Sequence, residues 1–343
     1  MIPWSAAAGL VMGLGTFDPQ FALADFAATA AAGYVLWTTR RVPRVALILP
    51  ALYLATAAWS VTPWLSIWFA YRVFAVWIVA DWIWRSGRFD RRWVTIGFAV
   101  AMWPQLIQLV IGLAEGIRPA AMSDTANQVS VTGGVLWLFG GAWWPAVAVA
   151  TAHVGIGASR GAIVAVWAIV AAVWWRHRPD ALVLTAQAAV MTVLFVVATI
   201  LQGGGGRLTV EQIIDNAIQR SETQTGGASA LLPGCKPRNQ STRLFEIIGY
   251  GPGGYQAVHC KQIPHSIPGA LVAQLGFLAL IPASLGAWYI RRWPLQIIAG
   301  VAVMGAFYPE LIDRPAAAYM WALLALAAAS SARSSETARP RTA

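Results

Sequence analysis

Charge is what this chain has least of. Only 11% of its 343 residues are Asp, Glu, Lys or Arg, against 58% hydrophobic, whereas soluble domains carry about a quarter charged residues. A water-soluble globular protein is therefore excluded. Acidic residues are the scarcer sign, 14 against 24 Lys and Arg, for a formal net charge of +10. A basic balance invites a nucleic-acid partner, but these arginines gather at the ends of apolar segments, where they fix membrane orientation. That distribution excludes nucleic acid. Cysteine is nearly absent: Cys235 and Cys260 are the only two, and neither lies in an apolar segment. Around Met1 to Gly15 there is neither a basic start nor a small-residue cleavage site, so this stretch reads as a retained anchor and not as a cleaved signal. No internal repeat is visible.

What is present is a long series of apolar segments. Stretches able to cross about 30 Å of hydrocarbon, short or tilted ones included, predict about twelve helices. They fall near 2–17, 20–38, 44–60, 63–84, 93–113, 125–141, 143–158, 160–175, 180–201, 268–290, 294–311 and 315–331. The expected fold class is an all-α polytopic membrane protein. Most of the 19 Trp residues stand near segment ends, as interfacial aromatic belts require. The connections carry Arg40, Arg41 and Arg44, then Arg85, Arg88, Arg91 and Arg92, then Arg176 and Arg178, then Arg291 and Arg292. By the positive-inside rule these turns and both termini are cytoplasmic, which places 114–124, Ser159-Arg160 and one large loop on the opposite face. The organisation is then nine helices over 1–201, a polar loop over 202–267, three helices over 268–331, and a polar tail over 332–343 expected to be disordered.

A polar interruption of about 65 residues far exceeds ordinary connection length, and such loops are usually functional or disordered. This one carries structure signals. After Gly203–Gly206, Thr209-Val-Glu-Gln212 reads as a capping box, and Val210, Ile213, Ile214, Ala217 and Ile218 share one helical face. The reading is a short surface helix within the loop. Both cysteines lie further along. On an oxidising face they form a natural disulfide, worth about 3 kcal/mol; two free thiols, or a zinc site with His259 and His265, are the alternatives.

Candidate chemistry lies at the same face. Arg160, in Gly155-Ile-Gly-Ala-Ser-Arg-Gly161, is a cation on the side from which positive charge is depleted, among small residues that leave it accessible. A planar bidentate donor suits a phosphate or diphosphate; a snorkelling interfacial Arg is the bland alternative. Arg243 stands just before an apolar turn and the glycines Gly249, Gly251, Gly253 and Gly254 around Pro252, a backbone able to turn tightly and approach a ligand. No predicted strand precedes it, so it is not a nucleotide-binding loop. His265, just before the Pro268 that opens the next helix, has the side chain best matched to general-base work near neutral pH; a helix-capping surface histidine is the alternative. Arg72 is buried charge within a helix, either paired with Asp25 or contacting a lipid headgroup.

In this order and spacing, Ser159-Arg160-Gly161, Arg243, Gly249-Tyr-Gly251-Pro-Gly253, His265, and Leu271 with Gly276 resemble the O-antigen ligase and O-antigen polymerase superfamily. Asn127 stands where that family often has an Asn, and the resemblance covers roughly residues 120–290. The family commonly has His-Asn where this chain has His265-Ser266, and an acidic residue at the position of Gln274. The resemblance implies a fold of the GT-C type with a large periplasmic loop, in a bacterial inner membrane. It implies glycan transfer from an undecaprenyl-diphosphate donor to an acceptor hydroxyl, on lipid A-core or on another glycan, with neither metal nor other cofactor. Arg160 and Arg243 would then stabilise the leaving diphosphate and His265 would take the acceptor proton, with Ser159 and the three alternating glycines binding substrate; Arg72, outside the stretch that the resemblance covers, is a further candidate substrate contact. Protein O-glycosylation and transport of a lipid-linked glycan are the competing readings.

Overall fold

A computed structural model of the protein describes residues 4–16, 22–43, 45–86, 89–115, 126–140, 143–157, 159–176, 180–202, 247–259, 266–307 and 317–337. Among these, helix is the only regular secondary structure. In chain order the helices are α1 (Trp4–Gly15), α2 (Ala22–Thr39), α3 (Val45–Thr56), α4 (Pro63–Arg85), α5 (Arg91–Ala114), α6 (Ala126–Gly140) and α7 (Trp144–Ile156). They continue with α8 (Arg160–Trp175), α9 (Ala181–Gln202), α10 (Gly254–His259), α11 (Ile267–Leu275), α12 (Leu280–Ile290), α13 (Leu295–Phe307) and α14 (Ala317–Thr337).

Four stretches among the described residues are long and apolar enough to cross a membrane: Pro63–Arg85, Arg91–Ala114, Ala181–Leu201 and Ile267–Ile290. Their outward surfaces are greasy. Leu182 is 70% exposed, Val193 61% and Leu280 65%, an apolar surface that a water-soluble monomer rarely shows in contiguous patches. This is the exterior of a membrane protein. A helix suits that setting because it satisfies its own backbone groups where water cannot.

The helix ends have identifiable causes. Pro63 opens α4 at a position where the missing N–H is not needed. Asp90 caps α5, its side chain accepting from the Arg92 and Trp93 amides. Arg91 crosses to the far end of α6, donating from Nε to the Phe139 carbonyl at 2.9 Å and from Nη2 to the Leu138 carbonyl at 2.7 Å; it supplies donors to carbonyls that have no partner within their own helix. α1 lies against α5 with little between the backbones. A Cβ added at Gly9 would strike the Val94 carbonyl, and one at Gly97 the Ala6 carbonyl. Gly9 and Gly13 form the small-xxx-small spacing that lets membrane helices approach closely.

Two elements differ from the sequence reading. The segment expected as one helix over 268–290 is broken: α11 ends at Gly276, whose φ of 55° only glycine adopts freely, and Gly276–Ala279 is a 3-10 turn before α12. The tail expected to be disordered from 332 instead continues α14 to Thr337, because extending a formed helix adds one hydrogen bond per residue without a new nucleus.

Candidate functional site

The break at Gly276 leaves the last carbonyls of α11 without helical partners. The glycine-bearing segment fills that need. The Tyr250 amide donates to the Ala273 carbonyl at 3.0 Å and the Gly251 amide to the Gln274 carbonyl at 2.9 Å. Gly249, Gly251 and Gly253 all have φ between 71° and 74°, the left-handed region where a side chain is strained. Space forbids a side chain as well: a Cβ at Gly251 would lie 2.6 Å from Ser60 Oγ, and one at Gly253 2.6 Å from Leu65 Cδ1. The segment is thus wedged between α11 and the α3–α4 connection. It is held there by the Trp59 indole N–H donating to the Gly249 carbonyl at 3.1 Å and the Thr62 hydroxyl donating to the Pro252 carbonyl at 2.6 Å.

Beneath it, Tyr53 donates to Gln274 Oε1 at 3.3 Å, and Gln274 is fully buried. Tyr53, Phe69 and Ala70 pack with Leu271 and Leu275, so α3 and α4 seat α11. Three rings close the other side: the His259 ring lies 4.9 Å from that of Tyr250 and 4.8 Å from that of Tyr255. Gln274 stood out in the sequence only as a departure from the family pattern and His259 only as an alternative zinc ligand; the ring cluster was not foreseen. The available signal was the Tyr255 and His259 spacing of four, one helical turn.

α11 begins with Ser266 as its N-cap, its side chain accepting from the Gly269 amide at 3.2 Å. The capping role weighed for His265 therefore has an occupant one residue later. Ile267 packs against the cluster of Val131, Ala165, Met304 and Met320, which joins the start of α11 to α6, α8, α13 and α14. Ala165 is five residues, about 7.5 Å along the axis, from Arg160. Arg160 is the first residue of α8 and is exposed, while Ser159 takes the N-cap position and is buried. α11 and α8 thus share one apolar cluster, with α13 between them in contact with both.

Arg72 is engaged within the bundle. It is 2% exposed, donates from Nε to Asp25 Oδ2 at 2.8 Å, and lies 4.5 Å over the Trp68 ring. Tyr319 donates to the other carboxylate oxygen at 2.8 Å and the Trp68 indole to Oδ2 at 3.4 Å. A buried guanidinium and carboxylate satisfy one another here, as low-dielectric surroundings demand.

Arg243, His265, Cys235, Cys260 and the loop helix from Thr209 lie outside the described residues. Asn127 falls in the first turn of α6. Among the described residues no group of three or more His, Cys, Asp or Glu side chains converges. Compared with protein-family models, with curated proteins and with solved structures, the chain matches none.

Proposed function

We propose that the chain is a membrane glycosyltransferase of the O-antigen ligase or polymerase type, making about twelve passes of a bacterial inner membrane with its large loop on the periplasmic face. It moves a glycan from an undecaprenyl-diphosphate carrier to an acceptor hydroxyl on lipid A-core or on a second lipid-linked glycan. The observation that carries the reading is that one apolar cluster holds Ala165 of α8 and has Ile267, two residues after His265, packed against it. The buried glycine segment that lies between α8 and α11 in sequence fastens the end of the loop to α11.

In this reaction the acceptor oxygen attacks the anomeric carbon, the bond from that carbon to the diphosphate breaks, and the carrier diphosphate leaves with the bonding electrons. Arg160 and Arg243 stabilise the charge that develops there, which preorganised donors do best. His265 takes the acceptor proton. The greasy outer surface keeps the carrier's chain in the bilayer beside the site.

One observation favours a second reading, transport of a lipid-linked glycan: the break at Gly276, since interrupted helices often mark transport sites. The carbonyls freed by the break, however, already accept from Tyr250 and Gly251, so they are not held open for a solute.

Purified protein given an undecaprenyl-diphosphate glycan and candidate acceptors tests the proposal. Transfer is expected from wild type, with losses of at least about 100-fold in His265→Ala and in Arg160→Ala. Variants as active as wild type would remove the site; donor binding without transfer to any acceptor would favour the transporter. A Ser- or Thr-bearing polypeptide as the productive acceptor would make the protein an O-glycosyltransferase.

A further inference from the structure

Two cavities beside α2 and α4 have no part in that reaction. The first is an apolar cleft of about 330 Å³ between α1, α2 and α4. Its walls are kept apart by small side chains, chiefly Ala7 and Ala8 from α1 and Ala27, Ala28 and Ala31 from α2. From Trp4 to Met12 it runs eight residues of α1, about 12 Å. At one end the Trp82 ring meets the rings of Trp4 and Tyr34 edge-on, each at 6.4 Å. Trp4 is 60% and Tyr34 56% exposed, so the cleft opens sideways towards lipid.

The second cavity, of about 680 Å³, is mixed, with Val42, Pro43 and Ile78 beside polar and charged side chains. It lies where α2 and α4 end and is lined by Thr39, Arg41, Asp81, Arg85 and Ser86. Arg85 is 67% exposed and donates to Asp81 at 2.8 Å, and Arg41 is also exposed. Two arginines against one carboxylate leave this recess with a net positive charge. The two cavities share Val35 and Trp82 as lining, so the basic recess adjoins the aromatic end of the apolar cleft.

We infer that these cavities form a binding site for one anionic phospholipid, with its phosphate on Arg41 and Arg85 and an acyl chain in the alanine-lined cleft. Each half supplies what the other lacks. An apolar cleft left empty forfeits dispersion contacts along its walls, and in a bilayer an acyl chain is the filler at hand. Guanidinium groups bind phosphate with two parallel hydrogen bonds, and basic pockets between membrane helices bind anionic headgroups. Indole and phenol rings suit the boundary between the two. A zwitterionic headgroup brings a second cation towards the arginines, whereas an anionic one does not.

Native mass spectrometry of the delipidated full-length protein tests the site, titrating phosphatidylglycerol against phosphatidylcholine of the same chains. Phosphatidylglycerol is expected to bind more tightly by about 25-fold, a factor of about five from each arginine. The double variant Arg41→Gln/Arg85→Gln should bind the two lipids equally. Both side chains are exposed, so its melting temperature should match wild type. Ala31→Phe, which fills the cleft, should weaken both lipids by about tenfold, roughly the value of burying two methylenes. Glycerol phosphate at millimolar concentration should displace neither. Equal binding of the two lipids by wild type, unchanged preference in the arginine variant, or displacement by glycerol phosphate would each overturn the assignment.

Discussion

Replacing Asp25 by Ala is the sharpest probe of how this bundle handles buried charge. Asp25 takes the Arg72 guanidinium on one oxygen and the Tyr319 hydroxyl on the other. Its loss strands a cation that is 2% exposed, and removing one partner of such a pair costs about 3–5 kcal/mol. At about 2–4 °C per kcal/mol for a protein of this class of size, the melting temperature should drop by roughly 10 °C. The informative control removes the ion pair and the Tyr319 hydroxyl together, leaving only the long Trp68 hydrogen bond without its acceptor. Arg72→Met with Asp25→Leu and Tyr319→Phe replaces it by apolar groups of similar volume, and such exchanges are often neutral or stabilising by about 1–4 kcal/mol. The assay is the fraction of monodisperse protein recovered on size exclusion after heating in detergent. Two results would refute the reasoning: Asp25→Ala melting within about 2 °C of wild type, under 1 kcal/mol on the same scale, or the triple variant melting as low as the single one. The triple variant also decides the role of Arg72. If the guanidinium is committed to Asp25, transfer activity survives; if activity is lost at unchanged melting temperature, Arg72 is a substrate contact.

Two further outcomes follow from packing. Gly251→Ala should destabilise by about 2–4 kcal/mol, combining a left-handed backbone with a Cβ pressed on Ser60, and transfer should fall with it because the loop end loses its seat; melting and activity measured on one preparation check both. Gly9→Leu should force α1 off α5, since its Cβ meets backbone at Val94 and not a side chain that can turn away, and the variant should lose its monodisperse size-exclusion peak at a lower temperature than wild type on heating in detergent.

Much of the fold was legible in the chain. Apolar runs of sufficient length and the arginines at their ends mark the helices because lipid admits apolar helices and rejects charge, and ten of the expected segments appear as helices within a few residues of their predicted bounds. The break at Gly276 was not legible. A hydrophobic run does not reveal an interruption whose freed carbonyls are answered by amides from a segment that precedes it in sequence, at Tyr250 and Gly251. The glycines illustrate the same gap. Their spacing suggested a backbone that approaches a ligand, but the surfaces that crowd them belong to the protein itself, at Ser60, Leu65 and Gln274.

The sequence alone therefore determined the class of molecule: too little charge for water, too many apolar runs for anything but lipid, and one polar stretch set apart from the rest. It also pointed to Asp25 as the partner that Arg72 would need, since a lone charge in lipid is too costly to leave unpaired. Tertiary structure decided which helices touch, how the end of the polar loop is fastened to α11, and that α8 and α11 share one apolar cluster. Those outcomes depend on side-chain shape and on backbone groups seeking partners across the chain, and neither leaves a periodic mark in the order of residues.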